Sequence, residues 1–172
     1  MPHFNYCMLH MKPMKREWNT MEEERAGAKK KALALLMDMD RTESGLREKL
    51  QKGGFSEDAV DEALDYVRGY GYIDDERYAN HFVEVSKSRK SRRRMEYDLA
   101  KRGVSRDLID AAMEKNAPED ERPLIRELAV KKLNRMDAED PKTRGKLAAY
   151  LARQGFKTED VISVTDELLR QD

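Results

Sequence analysis

Ser91-Arg92-Arg93-Arg94-Met95-Glu96-Tyr97-Asp98-Leu99-Ala100-Lys101-Arg102-Gly103-Val104 reads as one complete helix with its own start and stop signals. The Ser91 hydroxyl is placed to cap the first turn. Met95 and Leu99, four residues apart, share a face. Gly103 can adopt the left-handed conformation that ends a helix, and Val104 then packs back onto the last turn. The same order recurs as Thr42, Leu46, Leu50, Gly54, Phe55 and as Thr143, Leu147, Leu151, Gly155, Phe156. The copies are offset by 49 residues (42 to 91) and 52 residues (91 to 143). Five matched positions in three copies define an internal repeat, and each copy is expected to open with a side-chain cap.

Composition sets the class. Charged residues make up 40% and aromatics 7% of the 172, which suits solvated helices around thin cores. A membrane span, which needs ~20 nearly uninterrupted apolar residues, is excluded by the same pattern. A single cysteine, Cys7, cannot form an internal disulfide and fits a reducing cytoplasm. The net charge is zero, so contact with nucleic acid has to rest on local patches. Residues 74–116 are the basic segment, at +2 from 11 basic and 9 acidic groups.

Working outward, residues 1–25 lack periodicity and read as a disordered tail, with Met21 an alternative start. Three helix triplets follow, in units 26–73, 74–116 and 117–172. In the first, an Ala28–Asp38 helix precedes the Thr42 helix and one opened by Ser56-Glu57-Asp58. In the second, Tyr78, Ala79, Phe82 and Val85 are expected to face inward, and Asp74 or Asp75 caps the first helix. In the third, Leu124, Leu128, Leu133 and Met136 supply the first helix. No stretch alternates with period two, so the expectation is nine helices and no sheet. Short triplets must lean on their neighbours, which gives an elongated, curved array and a monomer.

No catalytic constellation stands out. Gly69-Tyr70-Gly71 lacks the third glycine of a dinucleotide loop, and no phosphate-cradling Gly-x4-Gly-Lys-Ser/Thr occurs. His3, His10 and His81 are not spaced with Cys7 as metal ligands. The reading is therefore of a binding protein rather than an enzyme, without metal or cofactor.

The conspicuous feature is Lys87-Ser88-Arg89-Lys90-Ser91-Arg92-Arg93-Arg94. Lys87, Arg89 and Lys90 suit a helix C-terminus, but Arg92, Arg93 and Arg94 fall in a first turn, where the macrodipole disfavours cations. The segment is a candidate contact for phosphates or an acidic protein surface. Lys52, Lys101 and Arg153 each follow the second repeat leucine by two residues. They either complement their helix ends or form a regularly spaced basic row. Tyr66, Tyr70, Tyr72, Tyr78, Tyr97 and Tyr150 sit at helical spacing beside Leu and Val and are expected to be packing residues, with base stacking the alternative.

The stretch Gly71-Tyr72-Ile73-Asp74-Asp75-Glu76-Arg77-Tyr78-Ala79, followed by Leu99-Ala100-Lys101-Arg102-Gly103-Val104-Ser105, resembles the RecX regulatory proteins of bacteria. Arg41 to Leu50 and Tyr150 to Phe156 are similar to the same family. Within the likeness, Gly71, Tyr72, Asp74, Asp75, Arg77, Tyr78, Leu99 and Gly103 are signature positions of mainly structural meaning. The resemblance implies three tandem three-helix units. It also implies a partner, the RecA recombinase filament on single-stranded DNA, whose growth and activities in recombination and the SOS response the protein would restrain. A helical DNA-binding module independent of RecA is the alternative reading.

Overall fold

The computed structural model describes residues 20–137 and 140–170. Nine α-helices and no strand occur among them: α1 (Met21–Asp38), α2 (Glu43–Lys52), α3 (Glu57–Gly69), α4 (Asp75–Ser86), α5 (Arg92–Lys101), α6 (Arg106–Asn116), α7 (Arg122–Leu133), α8 (Thr143–Arg153) and α9 (Thr158–Leu169). The dense helix packing lies within triplets, where the first helix meets the third and the middle helix closes against both. Each triplet has its own apolar core. Leu46, Leu50, Val60 and Leu64 lie in one; Met95, Leu99, Ile109 and Met113 in the next; Ile125, Leu147, Leu151 and Val164 in the last. The repeated Leu/Met pair is fully buried in all three, each such side chain contributing about 1.5–3 kcal/mol.

Repeat chemistry explains the helix ends. Thr42 Oγ1 accepts from the Gly45 N–H at 3.0 Å, and Ser91 Oγ accepts from the Arg94 N–H at 3.1 Å. Gly54, Gly103 and Gly155 have φ of 85°, 78° and 92°, the left-handed region open to glycine. Beyond Gly103, the Val104 N–H returns to the Leu99 carbonyl at 3.2 Å.

Several expectations are corrected. α1 begins at Met21, not near residue 26, because Thr20 Oγ1 accepts from the Glu23 N–H and Glu22–Glu24 fill the favourable first turn. The remainder of the expected tail, residues 1–19, lies outside the described residues. Thr143 is not a cap: it is the first residue of α8 and donates its hydroxyl to the Asp137 carbonyl at 2.5 Å. Asp140 serves that end instead, accepting from the Lys142 N–H at 2.9 Å through its carboxylate and from the Thr143 N–H at 2.8 Å through its carbonyl. Val85 faces solvent, and Val83, two residues earlier, takes the inward position. Met136 lies beyond the end of α7, whose buried positions are Leu124, Ile125 and Ala129.

Consecutive triplets meet end to end through their middle helices. The Thr42 hydroxyl that caps α2 donates to the Arg102 carbonyl at the end of α5, at 2.7 Å. The Ser91 hydroxyl that caps α5 donates to the Gln154 carbonyl at the end of α8, again at 2.7 Å. An acid from the following triplet completes each joint. Asp75 accepts from the Glu43 N–H at 2.9 Å, and Glu121 accepts from the Arg92 N–H at 2.7 Å. Helices α8, α5 and α2 thus form one spine in which each C-terminal carbonyl end faces the next N-terminal amide end. Their macrodipoles are aligned head to tail. The product is an elongated all-α array of three tandem three-helix units.

Candidate partner interface

The basic segment is divided by the fold into separate tasks. Lys87 Nζ pairs with Glu84 at 2.8 Å, and the Arg89 guanidinium donates to the Val85 carbonyl at 3.1 Å. Lys90 reaches across to Asp98 at 2.8 Å and lies 4.8 Å from the centre of the Phe82 ring. Arg94 meets the same carboxylate at 3.2 Å. Asp98 is buried. Burial pushes its carboxyl up, but the Lys90 hydrogen bond and the charges of Lys90, Arg94 and Arg102 outweigh that and hold it below the usual range. Arg102 also donates to the Asp98 backbone carbonyl at 2.8 Å and lies 4.7 Å from the Phe82 ring centre. Phe82, Lys90, Arg94, Asp98 and Arg102 form one closed cluster.

Arg92 belongs to the joint. Its guanidinium donates to the Pro118 carbonyl at 3.1 Å, while its amide is held by Glu121. Burial pushes the Glu121 carboxyl up, by more than the Arg92 N–H and nearby cations lower it. Asp75, in the equivalent place, is likewise pushed up by burial. The first-turn arginines now have a physical account. The C-terminal carbonyls of α8 and the Glu121 carboxylate face this helix start, offsetting the repulsion expected from the α5 dipole alone.

What remains outward-facing is smaller than the sequence suggested. Arg93 is exposed and has no hydrogen bond or ion pair among the described residues. Lys101 and Arg153 are likewise exposed and unpaired, whereas Lys52 is paired with Glu48. Arg93 flanks the Gly155 joint: a methyl group on Gly155 would lie 3.8 Å from the Arg93 Cβ. Arg153 is two residues from that glycine. A cleft of about 870 Å³ opens beside the joint, lined by Arg92, Arg93, Glu96, Glu121 and Lys157 among others. A smaller groove of about 370 Å³ beside the first joint includes Tyr78, Lys101 and Arg102.

The tyrosines divide as well. Tyr66, Tyr70, Tyr72 and Tyr97 are exposed, against the packing expectation, while Tyr78 and Tyr150 are partly buried. Tyr66, Tyr70 and Tyr72 are used on each other, with ring centroids 4.9 and 6.0 Å apart. The signature acids split their roles: Asp74 caps α4 through the Arg77 N–H at 2.8 Å, and Asp75 crosses to α2. Among the described residues, no group of His, Cys, Asp and Glu is arranged to hold a metal ion, and no helix is long and apolar enough to cross a membrane.

This arrangement of three units matches three family descriptions in order: the first three-helix domain of RecX over residues 28–66, the second over 74–113 and the third over 119–164. The chain belongs to the RecX family. It is 40% identical over 136 residues to the regulatory protein RecX of Caldanaerobacter subterraneus subsp. tengcongensis, covering 78% of this chain and 66% of that one. To the regulatory protein RecX of Clostridium acetobutylicum it is 27% identical over 149 residues, covering 84% and 70%. The chain thus spans about two thirds of the length of these relatives. A crystal structure of regulatory protein RecX superposes with a TM-score of 0.74 at 26% identity, covering 84% of this chain and 74% of that one. RecX from Lactobacillus salivarius shares the fold at a TM-score of 0.72 and 20% identity, covering 88% and 100%. Asp75 and Gly103 both meet α2 at the first joint.

The sequence reading missed Asp98 and Glu121, and it expected Tyr97 to be a packing residue, with base stacking the alternative. Glu121 acts over a contact 29 residues away that no local pattern displays, whereas Asp98 meets Arg94 at the i,i+4 spacing of one helix face. Tyr97 had a readable signal. The equivalent positions in the other copies are Glu48 and Ala149, neither of which marks a buried site.

Proposed function

We propose that this chain binds the RecA recombinase filament on single-stranded DNA and restrains its growth, and with it recombination and the filament's SOS coprotease activity. Family membership supports the partner, and the relatives' description as regulatory proteins supports the role. One structural observation carries the mode of binding: the end-to-end spine, from which Arg93 and Lys101 of the second unit and Arg153 of the third face outward unpaired. A repeating filament is best held by a repeating array that meets several protomers with modest contacts. Charge on such a surface steers association and makes affinity salt-dependent. The chain then acts by occupying the filament, as a cytoplasmic monomer, with no bond-making chemistry of its own.

Cryo-EM of RecA filaments on single-stranded DNA, incubated with the chain, tests this. Ordered density at a fixed position on the filament, with slower filament extension, is the expected result. Bare filaments at saturating protein, with unchanged extension, would remove the proposal.

A further inference from the structure

The middle unit carries an exposed tyrosine whose ring is backed by an arginine. Tyr97 lies on the outer face of α5 and is 58% exposed. The Arg94 guanidinium is 5.5 Å from the centre of its ring, and Arg94 is itself held at 3.2 Å by the buried Asp98. A buried acid thus fixes an arginine, the arginine backs one face of the tyrosine, and the rest of the ring stays open to solvent. One helical turn to either side, at i−4 and i+4, stand Arg93 and Lys101. Both are exposed and unpaired. Over eight residues of helix they stand about 12 Å apart. The other acid adjacent to Tyr97 in sequence, Glu96, leans towards Arg106 at 3.9 Å.

Register shows that this is not a by-product of the repeat. At the Tyr97 position the other copies have Glu48 and Ala149; at the Arg94 position they have Gly45 and Lys146; at the Arg93 position they have Ser44 and Gly145. Only the terminal cation recurs, as Lys52 and Arg153. The tyrosine ladder of the first unit differs physically, because its rings meet one another, Tyr66 and Tyr70 as a tilted pair and Tyr70 and Tyr72 as a stacked one. A preorganised open ring between two unpaired cations has the features that an unpaired nucleotide selects: a π-face for the base and positive charge for the phosphates on both sides.

We propose that Arg93, Tyr97 and Lys101 form a stacking site for single-stranded nucleic acid, with one base on the Tyr97 ring and the flanking phosphates on the two cations. This deepens the reading above, since the strand would be the one that the filament coats. The test separates the two ideas.

The full chain is titrated against a fluorescein-labelled oligothymidylate without recombinase, followed by anisotropy over a range of salt. Tyr97→Ala should weaken binding roughly five- to a hundredfold, the range for loss of one base–aromatic stack. Tyr97→Phe should bind like the parent, because the ring and not the hydroxyl is used. Arg93→Gln and Lys101→Gln should each reduce the log–log salt slope by about 0.7. Tyr70→Ala should change nothing. All four positions are exposed, and thermal melts check that each of the five variants is folded. Absence of oligonucleotide binding, or equal binding by Tyr97→Ala, overturns the stacking site. If Arg93→Gln and Lys101→Gln instead weaken only filament decoration, the stripe meets protein: the site is overturned and the filament reading stands. Tyr97-dependent oligonucleotide binding with bare filaments supports the site and removes the filament reading.

Discussion

The Ser91 hydroxyl donates to the carbonyl oxygen of Gln154 at 2.7 Å while accepting from the N–H of Arg94 at 3.1 Å. One side chain therefore caps its own helix and fastens the next unit. Thr42 does the same with Arg102 and Gly45. This double use explains why a hydroxyl recurs at these positions. An Asp could cap as well, but when ionised it has no proton to give to the carbonyl.

The joint can be weighed by comparing glycines. Gly54 and Gly103 have similar positive φ values, 85° and 78°. Gly54 ends the spine with nothing within 4 Å of a would-be methyl, whereas a methyl on Gly103 would lie 2.3 Å from Ser44 Cβ and Oγ. Gly54→Ala should cost about 1–2 kcal/mol, for backbone conformation alone. Gly103→Ala should cost that plus the price of separating α5 from α2, at least a further 1 kcal/mol on the scale of overpacked cores. Urea denaturation of both variants measures the difference; equal costs would mean that the units do not bear on each other there.

Two serines give a second comparison. Ser91 and Ser105 both stand at N-cap positions, yet only Ser91 makes the side-chain cap bond. Ser91 is fully buried and Ser105 exposed. Ser91→Ala should lose the cap, worth about 1 kcal/mol, and leave the Gln154 carbonyl short of a donor, for about 1–3 kcal/mol more at most. Ser105→Ala should fall within about 0.5 kcal/mol of the parent. Chemical denaturation monitored by circular dichroism reads both.

Much of the fold was legible because its grammar is local. Capping hydroxyls, the Leu/Met pair and the left-handed glycine act within one helix, so Thr42, Ser91, Leu99 and Gly103 declared their roles from spacing. Thr143 misled because Asp140-Pro141 starts the turn earlier and takes the capping task. The site was less readable. Arg92 is spent on Pro118 and Glu121, 26 and 29 residues away, and charge runs carry no mark of such distant partners. Tyr97 was assigned to packing by its neighbours in sequence, although the repeat register placed it outward.

The acids of the joint and of the α5 cluster give opposite responses to pH. Glu121 and Asp75 are raised by burial, so the stability that each contributes is present below its unfolded value, about 4.3 and 3.9. It is lost as pH rises through the higher folded value. Asp98 is held low despite burial; its contribution is present above about 3.9 and lost as pH falls through the depressed folded value. Acidification from neutrality should therefore first favour the fold and then disfavour it. In Glu121→Gln the early gain should shrink, and in Asp98→Asn the late loss should shrink. Unfolding free energies across this range, for the parent and both variants, test the two signs separately.

The last prediction concerns the three arginines, which are adjacent in sequence but not interchangeable in the fold. Arg93 has no partner, so Arg93→Gln should leave stability within about 0.5 kcal/mol of the parent. Arg92→Gln removes the guanidinium that donates to the Pro118 carbonyl, a bond to a charged donor worth about 1.5–3 kcal/mol. Arg94→Gln leaves the buried Asp98 with Lys90 as its remaining ion-pair partner, so its folded pKa should rise and acid unfolding should begin at higher pH. Changing all three together would confound partner binding with folding. Filament affinity, measured for each single variant at a temperature where all are folded, should fall for Arg93→Gln although its stability is parental. A drop confined to Arg92→Gln and Arg94→Gln, tracking their loss of stability, would show that the basic run serves the fold and that the partner is held elsewhere on the spine.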